Sequence, residues 1–164
     1  MSGAERTEFR VGTGIDAHAF EEGVPLVLGG VRLEHPSGLA GHSDGDVLAH
    51  ALTDAVLGAA GLDDIGAMFP PDDPALEGAD SIDLLARAWE RVRAHGWELV
   101  NADVVLVGER PRIATHRDEM RERLAGALGV GPELVAVRAT TTDGLGFTGR
   151  GEGLAAHAIA LLRR

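Results

Sequence analysis

Residues 8–19 read EFRVGTGIDAHA, and the alternation of apolar and polar residues in this stretch predicts a β-strand. One side of the strand carries the apolar residues Phe9, Val11, Ile15 and Ala17. The other side carries Arg10, Gly12, Gly14, Asp16 and His18. We therefore expect the apolar side to be buried against a core and the polar side to be accessible.

On either side of this strand, the patterns predict helices and strands in mixed order. A hairpin is expected over residues 24–33, around two glycines, and further strands over residues 97–107 and 134–142. Amphipathic or apolar runs predict helices over residues 46–61, 81–95, 111–128 and 154–162. The last of these is apolar on much of its circumference, which indicates deep burial or a subunit contact. The order favours one α+β domain over residues 1–164, with a mixed β-sheet, helices packed on one face, and a flexible N-terminus at residues 1–8.

Composition excludes several classes of protein. The formal net charge of −11 argues against a nucleic-acid partner, whose binding depends on cationic contacts to phosphate. No apolar run approaches a membrane span, and the polar start is unlike a signal peptide, so a cytoplasmic protein is expected. All 15 basic residues are arginine, which removes a Walker-type lysine and Schiff-base chemistry, and the absence of cysteine removes a thiol nucleophile.

Three residues form a candidate metal site. Asp16 and His18 lie at i and i+2 of the predicted strand, so both side chains point to the same side. His50 lies within the predicted helix, where Asp46 or Asp54, four residues away on either side, could orient its ring. Three protein ligands leave a fourth zinc position open, as in catalytic sites. The alternatives are an exposed polar strand face and a solvated acidic helix face.

Two glycine-rich loops could contact phosphate. Residues 41–46, GHSDGD, lead into a helix whose backbone N–H groups attract anions, and His42 could stabilise developing charge or bond locally. Residues 140–153 combine three threonines, five glycines within ten residues and Arg150, which suit a phosphate. Asp143 in this second loop could bind a hard cation such as Mg²⁺. A flexible connection is the alternative for this loop.

Taken together, the motifs resemble the 2-C-methyl-D-erythritol 2,4-cyclodiphosphate synthase family. The resemblance runs from about Arg10 to Leu162. In order, the motifs are GIDAH at 14–18, HSDGD at 42–46, HALTD at 50–54, DIG at 64–66, FP at 69–70, TTT at 140–142 and GFTGRGEG at 146–153. Several ordered motifs at these separations are far more specific than any one of them.

The resemblance implies a metal-dependent reaction of the non-mevalonate isoprenoid pathway. The family cyclises 4-diphosphocytidyl-2-C-methyl-D-erythritol 2-phosphate to the 2,4-cyclodiphosphate and releases CMP. Asp16, His18 and His50 would hold Zn²⁺ or Mn²⁺, and Asp143 would serve a second metal, Mg²⁺ or Mn²⁺, between the substrate phosphates. His42 and Thr141 match residues assigned to transition-state stabilisation.

The implied substrate contacts fall into two sets along the chain. The methylerythritol and phosphate side would comprise Asp16, His18, His42, Ser43, Asp64, Ile65, Gly66, Phe69 and Asp73. The cytidine and phosphate side would comprise Gly108, Pro111, Arg112, Ile113, Thr140, Thr141, Thr142 and Asp143. The family is a homotrimer with active sites between subunits and sheets facing the central axis. Phe147 and Arg150 match the lining of an axial cavity that holds an isoprenoid diphosphate in some members.

Two positions depart from the family pattern. Asp143 stands where many members carry glutamate, and Pro71 replaces an expected polar residue. Two other functions compete with the cyclase: a phosphoesterase that uses the same ligands with a bound water, and a non-catalytic trimeric module that binds isoprenoid or nucleotide phosphates. Water incorporation into product would favour the first, and indifference of function to the loss of His50 would favour the second.

Overall fold

A five-stranded sheet with helices on one face dominates this computed structural model, which describes residues 6–164. The strands are β1 (Phe9–Glu22), β2 (Leu26–Leu28), β3 (Val31–Leu33), β4 (Ser37–Leu39), β5 (Glu98–Val107), β6 (Val135–Thr140) and β7 (Gly153–Arg163). The helices are α1 (Val47–Ala59), α2 (Ile65–Met68), α3 (Ser81–Ala94), α4 (Arg117–Ala127) and α5 (Gly146–Gly149). Short 3-10 turns occupy Pro74–Leu76 and Pro132–Leu134.

The sheet is mixed, in the order β4-β1-β7-β5-β6. Only β5 and β6 pair in parallel among its neighbouring strands; the other pairs are antiparallel. Strands β2 and β3 form the separate predicted hairpin, and Gly29 and Gly30 between them have φ of 58° and 74°, as tight hairpin turns require. The predicted α+β class with a mixed sheet is confirmed.

The predicted burial of β1 is wrong. Its apolar side is open in the single chain, with Phe9 57%, Val11 69% and Ile15 71% exposed. The buried side is the one with Gly12 and Gly14, because α1 lies directly against their backbone. Glycine falls on the polar side of the sequence alternation, but a residue without a side chain is what lets a helix approach a strand closely.

The helix predicted over residues 154–162 is also wrong, since this stretch is strand β7. Alternate residues of β7 are fully buried, including Ala156, Ala158 and Ala160, whereas the side chain of Ile159 between them is 45% exposed. The strand lies at the centre of the sheet, between β1 and β5. An uninterrupted apolar run hides a two-residue period, so the sequence could not separate a central strand from a buried helix.

The other predicted elements are present with shifted ends, whereas β4 and α2 were not predicted. Helix α1 begins after Asp46, whose side chain accepts the N–H of Ala49, and α3 begins after Asp80, whose side chain accepts the N–H of Ile82. Helix α4 starts at Arg117, so the helix predicted from residue 111 begins six residues too early. The glycine-rich loop predicted within residues 140–153 contains the short helix α5. The single-domain assignment stays a prediction, and residues 1–5 of the predicted flexible N-terminus lie outside the described residues.

Within residues 6–164, none of the helices has the length and apolar character that crossing a membrane requires.

Candidate metal centre and active site

Strand β1 and helix α1 bring Asp16, His18 and His50 together. Oδ2 of Asp16 lies 2.8 Å from Nε2 of His18 and 3.0 Å from Nδ1 of His50, and the two nitrogens are 3.3 Å apart. Ligands at about 2.0–2.1 Å from a tetrahedral zinc ion would be separated by roughly 3.3 Å. The three side chains could therefore hold a divalent metal ion, and their N/O donor set suits one.

The electrostatics of the three side chains keep Asp16 ionised. Burial raises the pKa of the Asp16 carboxyl, but hydrogen bonds with His18 and His50 outweigh it and lower this pKa to about 2. The hydrogen bond with Asp16 raises the pKa of His18 above its ordinary value, against the opposing effect of burial. A carboxylate that is ionised at neutral pH is the form that binds a cation.

Each histidine ring is held from behind by a second hydrogen bond. Nδ1 of His18 lies 2.6 Å from the carbonyl oxygen of Ala40, so Nε2 faces the candidate metal position. Nε2 of His50 lies 2.8 Å from Oγ of Ser81 and 3.0 Å from Oγ of Ser43, so Nδ1 faces it. Such outer hydrogen bonds fix the orientation of ligand rings.

The predicted partners of His50, Asp46 and Asp54, are wrong. The Asp46 carboxylate accepts backbone N–H groups of Gly29 and Gly30 and caps α1, so it joins the β2–β3 hairpin to the helix. Burial raises the pKa of Asp46 to about 6. Asp54 accepts the N–H of Ile65 and so holds the start of α2. Both carboxylates therefore shape the walls of the site rather than orient its ligand.

The metal-side cavity, of about 190 Å³, opens onto these ligands. Its walls are lined by Asp16, His18, His42, Ser43, His50, Ile65, Gly66, Phe69, Pro71, Leu76 and Leu84. His42 is placed by a 2.7 Å hydrogen bond between its Nε2 and the carbonyl oxygen of Asp73. Asp64 caps α2 through the N–H of Ala67. Leu76 and Leu84 also line the cavity but were not predicted, because an apolar residue in a loop or helix carries no signal for a site.

A second groove, of about 310 Å³ and called here the Thr140 groove, collects most of the second set of predicted residues. It is lined by Gly108, Glu109, Arg110, Pro111, Arg112, Ile113, Ala114, Arg117, Ala139, Thr140 and Thr141. Across the sheet, Ala17 of β1 pairs with β7, β7 pairs with β5, and β5 pairs with Thr140 at the end of β6. Thr140 therefore lies three strand spacings from Ala17. That distance is about 14 Å. One chain therefore does not bring Thr141 to the metal triad.

Thr142 and Asp143, which follow Thr141, make hydrogen bonds within their own loop. Oγ1 of Thr142 bonds the carbonyl oxygen of Leu145 and lies 2.9 Å from Oγ1 of Thr148. Asp143 is the only non-glycine residue of the described chain with positive φ, at 52°. Aspartate tolerates this left-handed conformation well, which gives a structural reason for aspartate at this position. Its exposed carboxylate accepts the Thr141 hydroxyl at 3.3 Å.

Phe147 and Arg150 lie outside both the metal-side cavity and the Thr140 groove. Phe147 is partly exposed in α5, and Nε of Arg150 lies 2.6 Å from Oε1 of Glu152. Arg150 instead borders a separate cavity with Phe20 and His35. The structure therefore places most of the predicted residues at the metal-side cavity or the Thr140 groove and Arg150 at a third cavity, whereas Asp64, Asp73, Thr142, Asp143 and Phe147 line none of the three.

The fold and site define an α+β protein with a candidate divalent-metal site at a cavity. The YgbB family model matches residues 9–163, and the chain belongs to this family. A relative from Rubrobacter xylanophilus, named 2-C-methyl-D-erythritol 2,4-cyclodiphosphate synthase, is 60% identical over 95% of this chain and 96% of its own. The family membership predicted from the motifs is thus confirmed.

Solved structures give the same result. A structure of 2C-methyl-D-erythritol-2,4-cyclodiphosphate synthase, described as the bound form with CDP, is 38% identical with a TM-score of 0.84, covering 93% of this chain and 99% of that chain. The CDP complex of IspF from Plasmodium falciparum is 28% identical with a TM-score of 0.81, covering 94% and 95%. The α+β fold is therefore shared with these structures.

Proposed function

We propose that this chain cyclises 4-diphosphocytidyl-2-C-methyl-D-erythritol 2-phosphate to 2-C-methyl-D-erythritol 2,4-cyclodiphosphate. A 2-phosphate oxygen forms a bond to the β-phosphorus, the bond from the β-phosphorus to the bridging oxygen breaks, and CMP leaves with that oxygen. Family membership makes the chain a 2-C-methyl-D-erythritol 2,4-cyclodiphosphate synthase, a lyase of isoprenoid biosynthesis, as the motifs predicted. The metal triad at the mouth of a largely apolar cavity is the observation that carries the proposal.

The chain's own residues position the substrate and exclude water. Ile65 and Phe69 form an apolar wall beside the triad, which limits attack by solvent on the diphosphate. His42 and Ser43 lie in the same cavity, where they would hydrogen-bond phosphate oxygens. A bound metal would supply Lewis-acid stabilisation and a template. No protein nucleophile is needed, because the substrate carries its own, and phosphoryl transfer depends mostly on positioning and charge stabilisation.

The donor sets favour two kinds of cation. One carboxylate oxygen and two imidazole nitrogens at the triad suit Zn²⁺, with Mn²⁺ as the alternative. Asp143 offers only oxygen from an exposed carboxylate, so it would bind Mg²⁺ or Mn²⁺ between the substrate phosphates.

The Thr140 groove would hold the cytidine diphosphate portion. Arg112 and the hydroxyls of Thr140 and Thr141 line it, and such groups bind phosphate. The CDP complexes of the two solved relatives support a nucleotide-diphosphate substrate. Since this groove lies across the sheet from the triad, a complete site would require the triad of one chain and the groove of another.

A homotrimer with its sheets facing a central axis would meet this requirement. Phe9, Val11, Ile15 and Ile159 form an exposed apolar patch on the face of the sheet opposite α1. Apolar patches of this kind mark subunit contacts. Phe147 and Arg150 would then line an axial cavity that could take an isoprenoid diphosphate. The cytoplasmic location stays a prediction from the sequence.

The direct test of the function is product identification with the purified protein. With Zn²⁺ and Mg²⁺ present, the substrate is expected to give equal amounts of CMP and the cyclic diphosphate, identified by mass spectrometry. In water labelled with ¹⁸O, neither product should gain the label, since the attacking oxygen comes from the substrate. Linear, labelled phosphate products would instead identify a phosphoesterase, and the absence of CMP would also refute the cyclase.

The shared active site predicts rescue between two inactive variants. His42→Ala and Thr141→Ala should each lower kcat/KM by about 10²–10³-fold, as loss of one charge-stabilising donor does. If every site takes His42 from one chain and Thr141 from another, refolding equal amounts together restores about a quarter of the sites. The measured activity of the mixture should therefore reach about a quarter of the wild-type value.

The matched control mixes His42→Ala with His50→Ala. Both residues lie in the metal-side cavity of the same chain, so no mixed assembly contains a complete cavity and no activity should return. Equal recovery in both mixtures, or recovery in neither, would contradict a site shared in this way.

A further inference from the structure

Behind His50, a buried serine connects the ring to a carboxylate. Oγ of Ser81 lies 2.8 Å from Nε2 of His50 and makes a hydrogen bond with Oδ1 of Asp44. Ser81 is only 1% exposed. The same carboxylate is held at 3.0 Å by the backbone N–H groups of Ser81 and Asp46. This chain of contacts joins the start of α3, the loop before α1, and α1 itself.

The chemistry of the three groups sets the direction of the hydrogen bonds. An ionised carboxylate only accepts, and a serine hydroxyl has a single proton to donate. Ser81 therefore donates to Asp44, and its oxygen accepts from Nε2–H of His50. With this nitrogen protonated, Nδ1, which faces Asp16 and His18, is the nitrogen whose lone pair would bind a metal.

We propose that Ser81 and Asp44 are positioning residues that hold His50 in the tautomer and ring orientation that bind the metal. The arrangement is a carboxylate–histidine pair with a serine placed between the two, whereas metal sites more often use the carboxylate directly. The proposal rests on the metal site of the proposed function. It concerns how that site is prepared, and not which product forms.

Metal affinity tests the proposal without relying on turnover. Ser81→Ala removes the main acceptor for Nε2–H, and Ser43, at 3.0 Å, is the remaining acceptor. The dissociation constant for Zn²⁺, measured by competition with a chromogenic chelator, should rise roughly tenfold to a hundredfold. Ser81→Thr keeps the hydroxyl and should restore most of the affinity.

Two further variants separate positioning from general loss of structure. Thr53→Val removes a different fully buried hydroxyl, which lies on α1 and donates to the carbonyl oxygen of Ala49 rather than contacting His50. This variant should leave the Zn²⁺ affinity unchanged. Asp44→Asn keeps Ser81 but removes one acceptor oxygen, and should weaken Zn²⁺ binding as Ser81→Ala does. Thermal denaturation of the metal-free proteins reports folding separately.

Wild-type affinity in Ser81→Ala and Asp44→Asn would overturn the proposal, as would an equal loss in Thr53→Val. This outcome is distinct from failure of the proposed function. A wild-type protein that binds Zn²⁺ but forms no cyclic product would refute the cyclase and leave the positioning role intact.

Discussion

Replacing His50 by alanine is expected to remove the metal and nearly all activity. The ring supplies one of three ligand atoms that lie within 3.3 Å of one another. Helix α1 places no other histidine at the cavity, so no ring on this helix could replace it. A bound metal lowers the free energy of the charged transition state by several kcal/mol, and each 1.4 kcal/mol changes the rate by about tenfold. We therefore expect kcat/KM to fall by about 10³-fold or more, and bound zinc, measured by atomic absorption, to fall from about one ion per chain to near zero.

A matched control lies on α3. His95 is exposed at the end of this helix, where its Nδ1 bonds the carbonyl oxygen of Arg91, and His95→Ala should keep both metal and activity. The metal-free forms of wild type and His50→Ala should melt within a few degrees of each other, since His50 lies at the cavity surface. Full metal content with normal turnover in His50→Ala would favour a non-catalytic role for the site.

The ligands could be predicted because strand geometry is simple. Residues two apart on a strand share a side, so the pair Asp16 and His18 followed from spacing alone. His50 is distant in sequence, and only the ordered motifs linked it to the pair. The ring partner Ser81 lies 31 residues further along the chain. Next to Asp80 it has the appearance of an ordinary helix cap, and no local pattern distinguishes the two roles.

The second half of the site could not be located from sequence for a different reason. Thr141 directly follows β6, whereas Asp16 and His18 lie on β1, and these two strands are adjacent neither in the sheet nor along the chain. Their separation follows from the strand order, which depends on β7 occupying the centre of the sheet. The alanine-rich run of β7 was interpreted as a helix, so the width of the sheet between the two halves was not predictable.

Replacing Gly14 by alanine is expected to prevent normal folding. An added Cβ would lie 1.9 Å from the carbonyl oxygen of Ala51 and 2.9 Å from the backbone N of Ala55. These are backbone atoms of α1, so no side-chain rotation relieves the overlap, and the helix must move off the sheet. Ten residues of α1 are buried in the core. We expect a loss of more than about 4 kcal/mol in the free energy of unfolding, which is a large part of ordinary domain stability.

The measurement is thermal or urea denaturation, with a fall in melting temperature of at least about 10 °C, or failure to accumulate folded protein. Gly126→Ala is the control: it lies in α4 with open space around the added Cβ, and should stabilise the chain by about 0.5–1 kcal/mol. Adding Ala51→Gly should not rescue Gly14→Ala, because the overlap is with the carbonyl oxygen. Stability close to wild type in Gly14→Ala would show that α1 can shift at little cost. The same close approach brings His50 within 3.0 Å of Asp16, so any surviving folded protein should also bind zinc poorly.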